Sequence, residues 1–275
     1  MAALLAIVSS IVWGSSDFLG GKMSRRRNPV AVLGGSQPFG LVAALIAVLL
    51  FGKWEFLPVV VRNGSIAGLL GLLGLIAFYW ALSIGRMGIV SPISSMGVLI
   101  PLAIGLARGD QPTPIQYMGI VVAIIGVVLA SGPELSGGAS PLPVALASIS
   151  AVCFGFGVYF MAIGGQINPG VTVVMMRVTQ VSLLWTVALV TRSLGQLTVR
   201  DVPMLAAIGV TDASANVLYT TAASLGLLSL VSVLGSLFPV VTVLLAWWVL
   251  KERLVLIQYL GIGATLCGVI AITVG

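Results

Sequence analysis

The chain contains 275 residues, of which 59% are hydrophobic and 7% are charged, and its net charge is +6. Soluble domains carry about 25% charged residues, so these proportions and a mean hydropathy of +1.18 exclude water as the main solvent of the folded chain. The excess of Lys and Arg does not indicate nucleic-acid binding, because these residues stand singly or in one short loop, as is typical of helix ends at a membrane surface.

Apolar stretches recur along the whole chain, and each has about 17–24 residues, enough to cross ~30 Å of hydrocarbon. They predict an all-α integral membrane protein with ten transmembrane helices joined by short connections. The first stretch is interpreted as a retained helix, because it resembles the later ones and lacks the basic start of a cleaved signal peptide. In chain order the predicted spans are residues 2–21, 29–51, 65–84, 88–107, 115–131, 142–164, 169–192, 203–225, 228–250 and 256–274.

The second half of the sequence repeats the first. Residues 78–101 read FYWALSIGRMGIVSPISSMGVLIP, and residues 218–239 read LYTTAASLGLLSLVSVLGSLFP. With a two-residue insertion, the matching positions are Tyr79 with Tyr219, Gly85 with Gly226, and Pro101 with Pro239. Shorter matches flank this segment: Trp13-Gly14 with Phe154-Gly155, Asn28-Pro29 with Asn168-Pro169, and QYMG at 116–119 with QYLG at 258–261, the last pair preceded by Asp110 and Glu252.

The repeat divides the chain into residues 1–135 and 136–275, joined by a Gly-, Ser- and Pro-rich linker that begins at Ser131. Each half holds five predicted spans. Because five is an odd number, the second half enters the membrane from the opposite face. Two inverted five-helix repeats are typical of membrane carriers, which bind their substrate near the membrane midplane between the halves.

Three charged residues lie deep inside predicted spans: Asp17, Arg177 and Asp212. Such groups cost several kcal/mol in a bilayer and are therefore candidate functional residues. Asp212, Asn216 and Tyr219 share one helix face, and Gln180 follows Arg177 by one turn. One interpretation is that Arg177 and Asp212 pair with each other and only stabilise the bundle. The other is that they line a cavity, where Arg177 binds a substrate carboxylate and Asp212 binds an ammonium group or a proton.

The remaining candidates are Asp17, three aromatic residues (Trp13, Tyr79 and Tyr219) and two prolines. Asp17 either pairs with the basic loop at residues 22–27 or lines the cavity together with Trp13. Tyr79 and Tyr219 stand at matching repeat positions, which indicates either packing or a place in the cavity wall. Pro101 and Pro239 lie within spans and should bend them. These bends serve either as hinges or only to set the shape of the helices.

Composition also argues against an enzyme. The chain has no histidine, so a Ser–His nucleophile is impossible, and no carboxylate pair with metal-ligand spacing occurs. Cys153 and Cys267 lie in apolar stretches and are interpreted as small core residues. We therefore expect no catalytic residue, no metal and no cofactor.

The combined motifs resemble the EamA family of the drug/metabolite transporter superfamily. The residues that carry the resemblance are YWALSIG…P…RGDQPTPIQYMG in the first half, YTTAASLG…P…LKERLVLIQYLG in the second, and Trp13-Gly14-Ser15 near the start. The resemblance implies a ten-helix carrier that exports amino acids or other small solutes. It also implies that helices 1–4 and 6–9 surround the pathway and that helices 5 and 10 lie outside it. The resemblance also places Trp13, Tyr79, Asn216 and Tyr219 in the cavity. Asp17 differs from the family pattern, because many relatives have a neutral residue at this position.

The expected function is secondary transport of a small polar or zwitterionic, amino-acid-like metabolite across the plasma membrane by alternating access. A passive channel or a structural membrane protein is the alternative. The expected partners are the small-molecule substrate, the lipid bilayer and protons as a candidate coupling ion, without nucleic acid, for a monomer or homodimer. Both termini should share one side. The resemblance implies the cytoplasm, but the Lys and Arg residues cluster in the loops after odd-numbered spans and favour the opposite orientation.

Overall fold

The computed structural model describes residues 1–85, 87–130, 141–191, 197–250 and 256–275. The linker at 131–140 lies outside these residues, as do Arg86, Arg192 and Glu252. No strand occurs among the described residues, and ten helical spans follow one another. They are α1 (Ala2–Ser24), α2 (Pro29–Phe51), α3 (Pro58–Ile84), α4 (Met87–Ser95 and Leu99–Ala107), α5 (Pro114–Ala130), α6 (Pro141–Gly165), α7 (Pro169–Thr191), α8 (Val202–Leu225), α9 (Leu228–Gly235 and Phe238–Leu250) and α10 (Leu256–Val274).

The ten predicted spans are confirmed. Within the described residues, nine helices are long and apolar enough to cross a membrane, and α5 is a shorter apolar helix. One boundary was wrong: α3 begins at Pro58, not at residue 65. Proline is favoured at the first helical position because its missing N–H has no partner there in any case. The polar Asn63 is also accommodated, because its amide donates a hydrogen bond of 2.7 Å to the carbonyl oxygen of Val59.

The fourth span of each half is interrupted near its middle. In α4 a 3₁₀ turn, Met96–Val98, separates the two segments, and Pro101 follows in the second. In α9 the break lies between Gly235 and Phe238, directly before Pro239. A proline has no N–H for the carbonyl four residues earlier, which weakens the preceding turn. The hinge role of the two prolines stays a prediction.

The two halves pack with a two-fold relationship. Helix α1 packs against α8 and α9, and its counterpart α6 packs against α3 and α4. In the same way α2 contacts α7 and α8, α7 contacts α2 and α3, and α5 packs along α10. Exchanging the halves therefore reproduces the same helix neighbours, as the inverted five-helix repeat requires.

Glycines permit the closest contacts between the halves. A Cβ atom on Gly14 would strike the carbonyl oxygen of Phe238 and the side chain of Val241, and one on Gly155 would strike the equivalent atoms of Gly97 and Ile100. Small residues let helices approach this closely inside a membrane, where the hydrophobic effect does not drive helix association. The same contacts correct the sequence alignment of the prolines. Pro101 directly follows Ile100, whereas Pro239 precedes Val241, so the two prolines do not occupy equivalent packing positions.

Candidate functional site

A partly open cavity of ≈ 100 Å³ lies between the two halves. The first half contributes Trp13 and Asp17 from α1 and Gly71 and Leu75 from α3, among others. The second half contributes residues of α6, α7, α8 and α9, including Phe154, Met161, Met176, Gln180, Asp212, Asn216 and Phe238. None of the described lining residues belongs to α5 or α10. The wall is mostly apolar with a few polar groups, as is usual for small-molecule sites.

Arg177 lies directly behind the cavity wall and is fully buried. Its Nη1 atom donates hydrogen bonds to Oδ2 of Asp212 at 2.8 Å and to Oε1 of Gln180 at 3.0 Å. The same atom donates to Oε1 of Gln37 on α2. One guanidinium nitrogen therefore joins α2, α7 and α8. Of the two arrangements considered for Arg177 and Asp212, the structure contains the ion pair, and Asp212 also lines the cavity.

Gln37 is a member of this network that sequence reasoning missed. It lies within an apolar span next to Pro38 and is 1% exposed. The predicted uncharged polar residues, Gln180 and Asn216, each follow a charged residue by one helical turn, and Gln37 has no such neighbour. A buried glutamine in the middle of a hydrophobic span is a detectable signal, since an unpaired amide costs free energy in a bilayer.

Part of this network has no partner in the described part of the chain. The buried Nε and Nη2 atoms of Arg177 and the Nε2 atom of Gln180 form no hydrogen bond there. Gln180 Nε2 lies beside Gly71, where an added Cβ would come within 3.1 Å of it. Because Gly71 and Gln180 both line the cavity, the free amide group of Gln180 faces that cavity.

The two carboxyl groups of the cavity differ in their surroundings. Oδ2 of Asp212 accepts from Arg177, and its Oδ1 accepts from Nδ2 of Asn216 at 3.1 Å, so both oxygens are used. Asp17 is 9% exposed and lines the same cavity. It forms no ion pair or hydrogen bond with any described residue.

The proposed pairing of Asp17 with the basic loop does not occur among the described residues. Arg27 instead pairs with Asp201 at 3.0 Å, and Nε of Arg25 donates to the carbonyl oxygen of Leu82 at 3.5 Å. The structure therefore places Asp17 in the cavity wall and leaves its carboxyl group without a cation.

Aromatic side chains form one wall of the cavity. Trp13 and Tyr219 lie with ring centroids 5.3 Å apart, and the Tyr219 hydroxyl bonds Ser232 at 2.9 Å. Tyr219 lines a smaller neighbouring pocket that shares Trp13, Phe154 and Phe238 with the main cavity.

Tyr79, the repeat partner of Tyr219, is placed differently. It is 1% exposed, its hydroxyl covers Gly20 of α1, and it does not line the cavity. Phe78, next to it, packs edge-on behind Phe154 and Phe238 at centroid distances of 5.7 and 6.4 Å. Phe154 and Phe238 are therefore fixed in position, and neither was among the predicted site residues.

Contacts between the halves occur at both ends of the molecule. Arg27, after α1, pairs with Asp201, before α8. At the opposite end, Oδ2 of Asp110, after α4, accepts a hydrogen bond of 2.8 Å from the backbone N–H of Ser229 in α9. The guanidinium of Arg108 lies 5.6 Å from the ring centroid of Tyr159 in α6. Each end thus carries polar contacts between the halves, beside apolar side chains of both halves.

Comparisons with known proteins agree with this architecture. A solved crystal structure is similar with a TM-score of 0.80 and 16% identity, covering 99% of this chain and 98% of its own, which shows the fold alone. Uncharacterized protein MJ1333.1 of Methanocaldococcus jannaschii is 28% identical over 135 residues, which are 47% of this chain and 96% of that protein. The model of the EamA-like transporter family matches twice, at residues 1–132 and 141–274. The chain therefore belongs to the EamA-like transporter family and is a multi-pass membrane transporter of the drug/metabolite transporter superfamily.

Proposed function

We propose that this chain is a secondary transporter that exports a small polar or zwitterionic, amino-acid-like metabolite across the plasma membrane by alternating access. The observation that carries the proposal is the cavity between the repeats, whose apolar wall holds Asp17, Gln180 and Asp212 at its middle. Charged and amide groups are costly in a bilayer and are retained where they bind a solute. Export as the direction rests on the family resemblance.

The end contacts support alternating access because each can break at small cost. A partly exposed ion pair such as Arg27–Asp201 contributes little to stability, because water screens its charges. The hydrogen bond from Ser229 to Asp110 at the start of α9 is a helix-capping contact, worth about 1 kcal/mol. These polar contacts therefore add little to the free energy needed to open either end, and differential binding of the substrate can supply the rest.

The proposed coupling ion is the proton, carried by a cavity carboxyl group. Because the chain has no histidine, Asp17 and Asp212 are the carriers available in the described cavity. The hypothesis for Asp212 is tested by comparing wild type with Asp212→Asn in proton-gradient-driven uptake. Unchanged uptake would remove Asp212 from the coupling mechanism.

The transport proposal is tested with purified protein in liposomes. Vesicles preloaded with one unlabelled solute from a panel of amino acids, sugars, nucleosides and organic cations are diluted into the labelled form. A carrier shows saturable uptake and transient accumulation by counterflow. A channel shows uptake that rises linearly with concentration and no counterflow, and a structural protein shows neither.

Protein-free vesicles provide the baseline for that measurement. The variant Gly263→Ala provides a second control, because the position faces open space on α10, away from the cavity. It should transport like wild type. If no solute in the panel gives counterflow above the baseline, the proposal of a metabolite carrier is overturned.

A further inference from the structure

The carboxyl group of Asp17 and the amide nitrogen of Gln180 line the cavity without a hydrogen-bond partner among the described residues, and they have opposite hydrogen-bonding character. The carboxyl group of Asp17 on α1 can only accept when ionised, and Nε2 of Gln180 on α7 can only donate. Asp17 is 9% exposed and Gln180 is fully buried. Buried polar groups without partners are rare in folded proteins and call for a ligand or water.

The charges in this region do not balance when both cavity carboxyl groups are ionised. Asp17 and Asp212 are two carboxyl groups facing one cavity, and Arg177 is the one cation bonded to either of them among the described residues. Its ion pair with Asp212 compensates that carboxylate. An ionised Asp17 therefore needs a positive charge from the contents of the cavity, because an isolated buried charge is strongly disfavoured.

The side chain of this pair that lines the cavity is the amide of Gln180 and not the guanidinium of Arg177. Arg177 does not line the cavity and is held behind the wall by Asp212, Gln37 and Gln180. Its bond to Oε1 of Gln180 leaves the Nε2 end of that amide directed toward Gly71 and the cavity. Arg177 is therefore a positioning residue for Gln180.

The rest of the wall fits an apolar group with a cation nearby. Trp13 lies on the same helix as Asp17, one turn away, and both line the cavity with Phe154 and Phe238. Aromatic faces attract ammonium groups and also bury an apolar side chain. Asp17, the aromatic wall and Gln180 thus offer surfaces for a cation, an apolar body and an anion.

From this arrangement we infer that the substrate is an α-amino acid with an apolar side chain, its ammonium group on Asp17 and its carboxylate on Nε2 of Gln180. The inference rests on the proposed transport function and deepens it by assigning the two ends of the zwitterion. It predicts that both charged ends of the ligand are recognised, each by a different helix and a different half of the chain.

The test measures binding of three ligands to the purified full chain by equilibrium dialysis and thermal shift. The ligands are L-leucine, L-leucine methyl ester, which keeps the ammonium group, and N-acetyl-L-leucine, which keeps the carboxylate. Wild type should bind leucine at least about tenfold more tightly than either derivative, because hydrogen bonds to charged groups are worth more than neutral ones. Ligand binding to the folded state should also raise the apparent unfolding temperature.

Two variants test recognition of the ammonium group and of the carboxylate of the ligand separately. Asp17→Asn should weaken the binding of leucine and of its ester about tenfold or more and leave the binding of N-acetyl-leucine unchanged. The variant therefore loses the preference for a free amine. Gln180→Glu keeps an acceptor oxygen for Arg177 but removes the free N–H donor. It should therefore weaken the binding of leucine and leave the binding of the ester unchanged. Matched controls are Glu55→Gln in the loop after α2 and Gln116→Glu at the start of α5, both outside the cavity, and both should bind like wild type.

Three results would overturn the inference. The first is an equal loss of affinity for all three ligands in Asp17→Asn, while the variant unfolds at the wild-type temperature. The second is an undiminished preference for leucine over its ester in Gln180→Glu. The third is absence of binding by every apolar amino acid. If a sugar or nucleoside nevertheless shows counterflow, the transport proposal stands and the zwitterion assignment fails, so the two failures are distinguishable.

Discussion

The guanidinium of Arg177 and the carboxylate of Asp212 lie 2.8 Å apart and join α7 to α8 in the centre of the bundle. Each residue would be an uncompensated charge in a low-dielectric region without the other. Removing one partner of such a pair costs more than replacing both, because the remaining charge stays buried.

Arg177→Met should therefore destabilise the protein by about 3–5 kcal/mol, and the double variant Arg177→Met/Asp212→Asn should lose much less. Thermal unfolding of the purified variants in one detergent measures both effects. Wild-type unfolding temperature in the single variant would show that Asp212 finds another compensating group. If the double variant is less stable than the single one, the two side chains stabilise the protein by more than the compensation of each other's charge.

The contact between Arg27 and Asp201 closes one end of the molecule, and transport should require it to open. With both native cysteines replaced by alanine, the pair Arg27→Cys and Asp201→Cys can be joined by a short bis-maleimide. Cross-linked protein should lose counterflow, while each single-cysteine variant treated with the same reagent should retain it. Full counterflow by the cross-linked protein would mean that the substrate does not pass this end.

The crossing of α2 and α8 depends on Gly209. A Cβ atom there would overlap the carbonyl oxygen of Ser36, whereas a Cβ on Gly263 in α10 meets nothing within 4 Å. Gly209→Ala should therefore cost about 1–3 kcal/mol through forced separation of the helices. Gly263→Ala should leave the unfolding temperature unchanged or slightly higher, because alanine favours the helix. Equal unfolding temperatures for the two variants would contradict this packing.

The inverted repeat makes a prediction about labelling from one side of the membrane. In the background without native cysteines, single cysteines at Arg26 and Thr198 should react with an impermeant maleimide from the same side. Cysteines at Trp54 and Gly109 should react from the other side, because loops after odd-numbered and even-numbered spans lie on opposite faces. Labelling of residues 26 and 198 from different sides would mean that the halves point in the same direction. The experiment also decides which face is cytoplasmic.

The spans could be predicted from the sequence because each is an apolar run bounded by capping residues. Asn28 accepts a hydrogen bond from the N–H of Val30, and Asn168 accepts one from Val171, and each stands directly before a proline at the start of its helix. These are strong local signals for a helix start. The start of α3 was missed because the polar residues of its first turns gave the appearance of a loop.

The inward faces of the helices could not be predicted in the same way. A helix surrounded by lipid and by other apolar helices is apolar on all sides, so no polar–apolar periodicity marks the face toward the cavity. Tyr79 and Tyr219 match in sequence, yet Tyr219 lines the pocket beside the cavity, whereas the Tyr79 hydroxyl packs over Gly20. The bond of Gln37 to Arg177 likewise depends on how α2 and α7 cross, which is a property of the packed bundle.

Gln37 and Arg177, which are joined by a hydrogen bond, occupy corresponding places after the two Asn-Pro pairs. The framework is nearly symmetric, but its charges are not: Asp17 corresponds to Val158, counted from Trp13 and Phe154, and Asp212 corresponds to Leu72, counted from the paired tyrosines. The inward-open and outward-open forms are therefore chemically unlike one another. We expect unequal half-saturation concentrations on the two sides of the bilayer, even though the final concentration ratio depends only on the driving gradient.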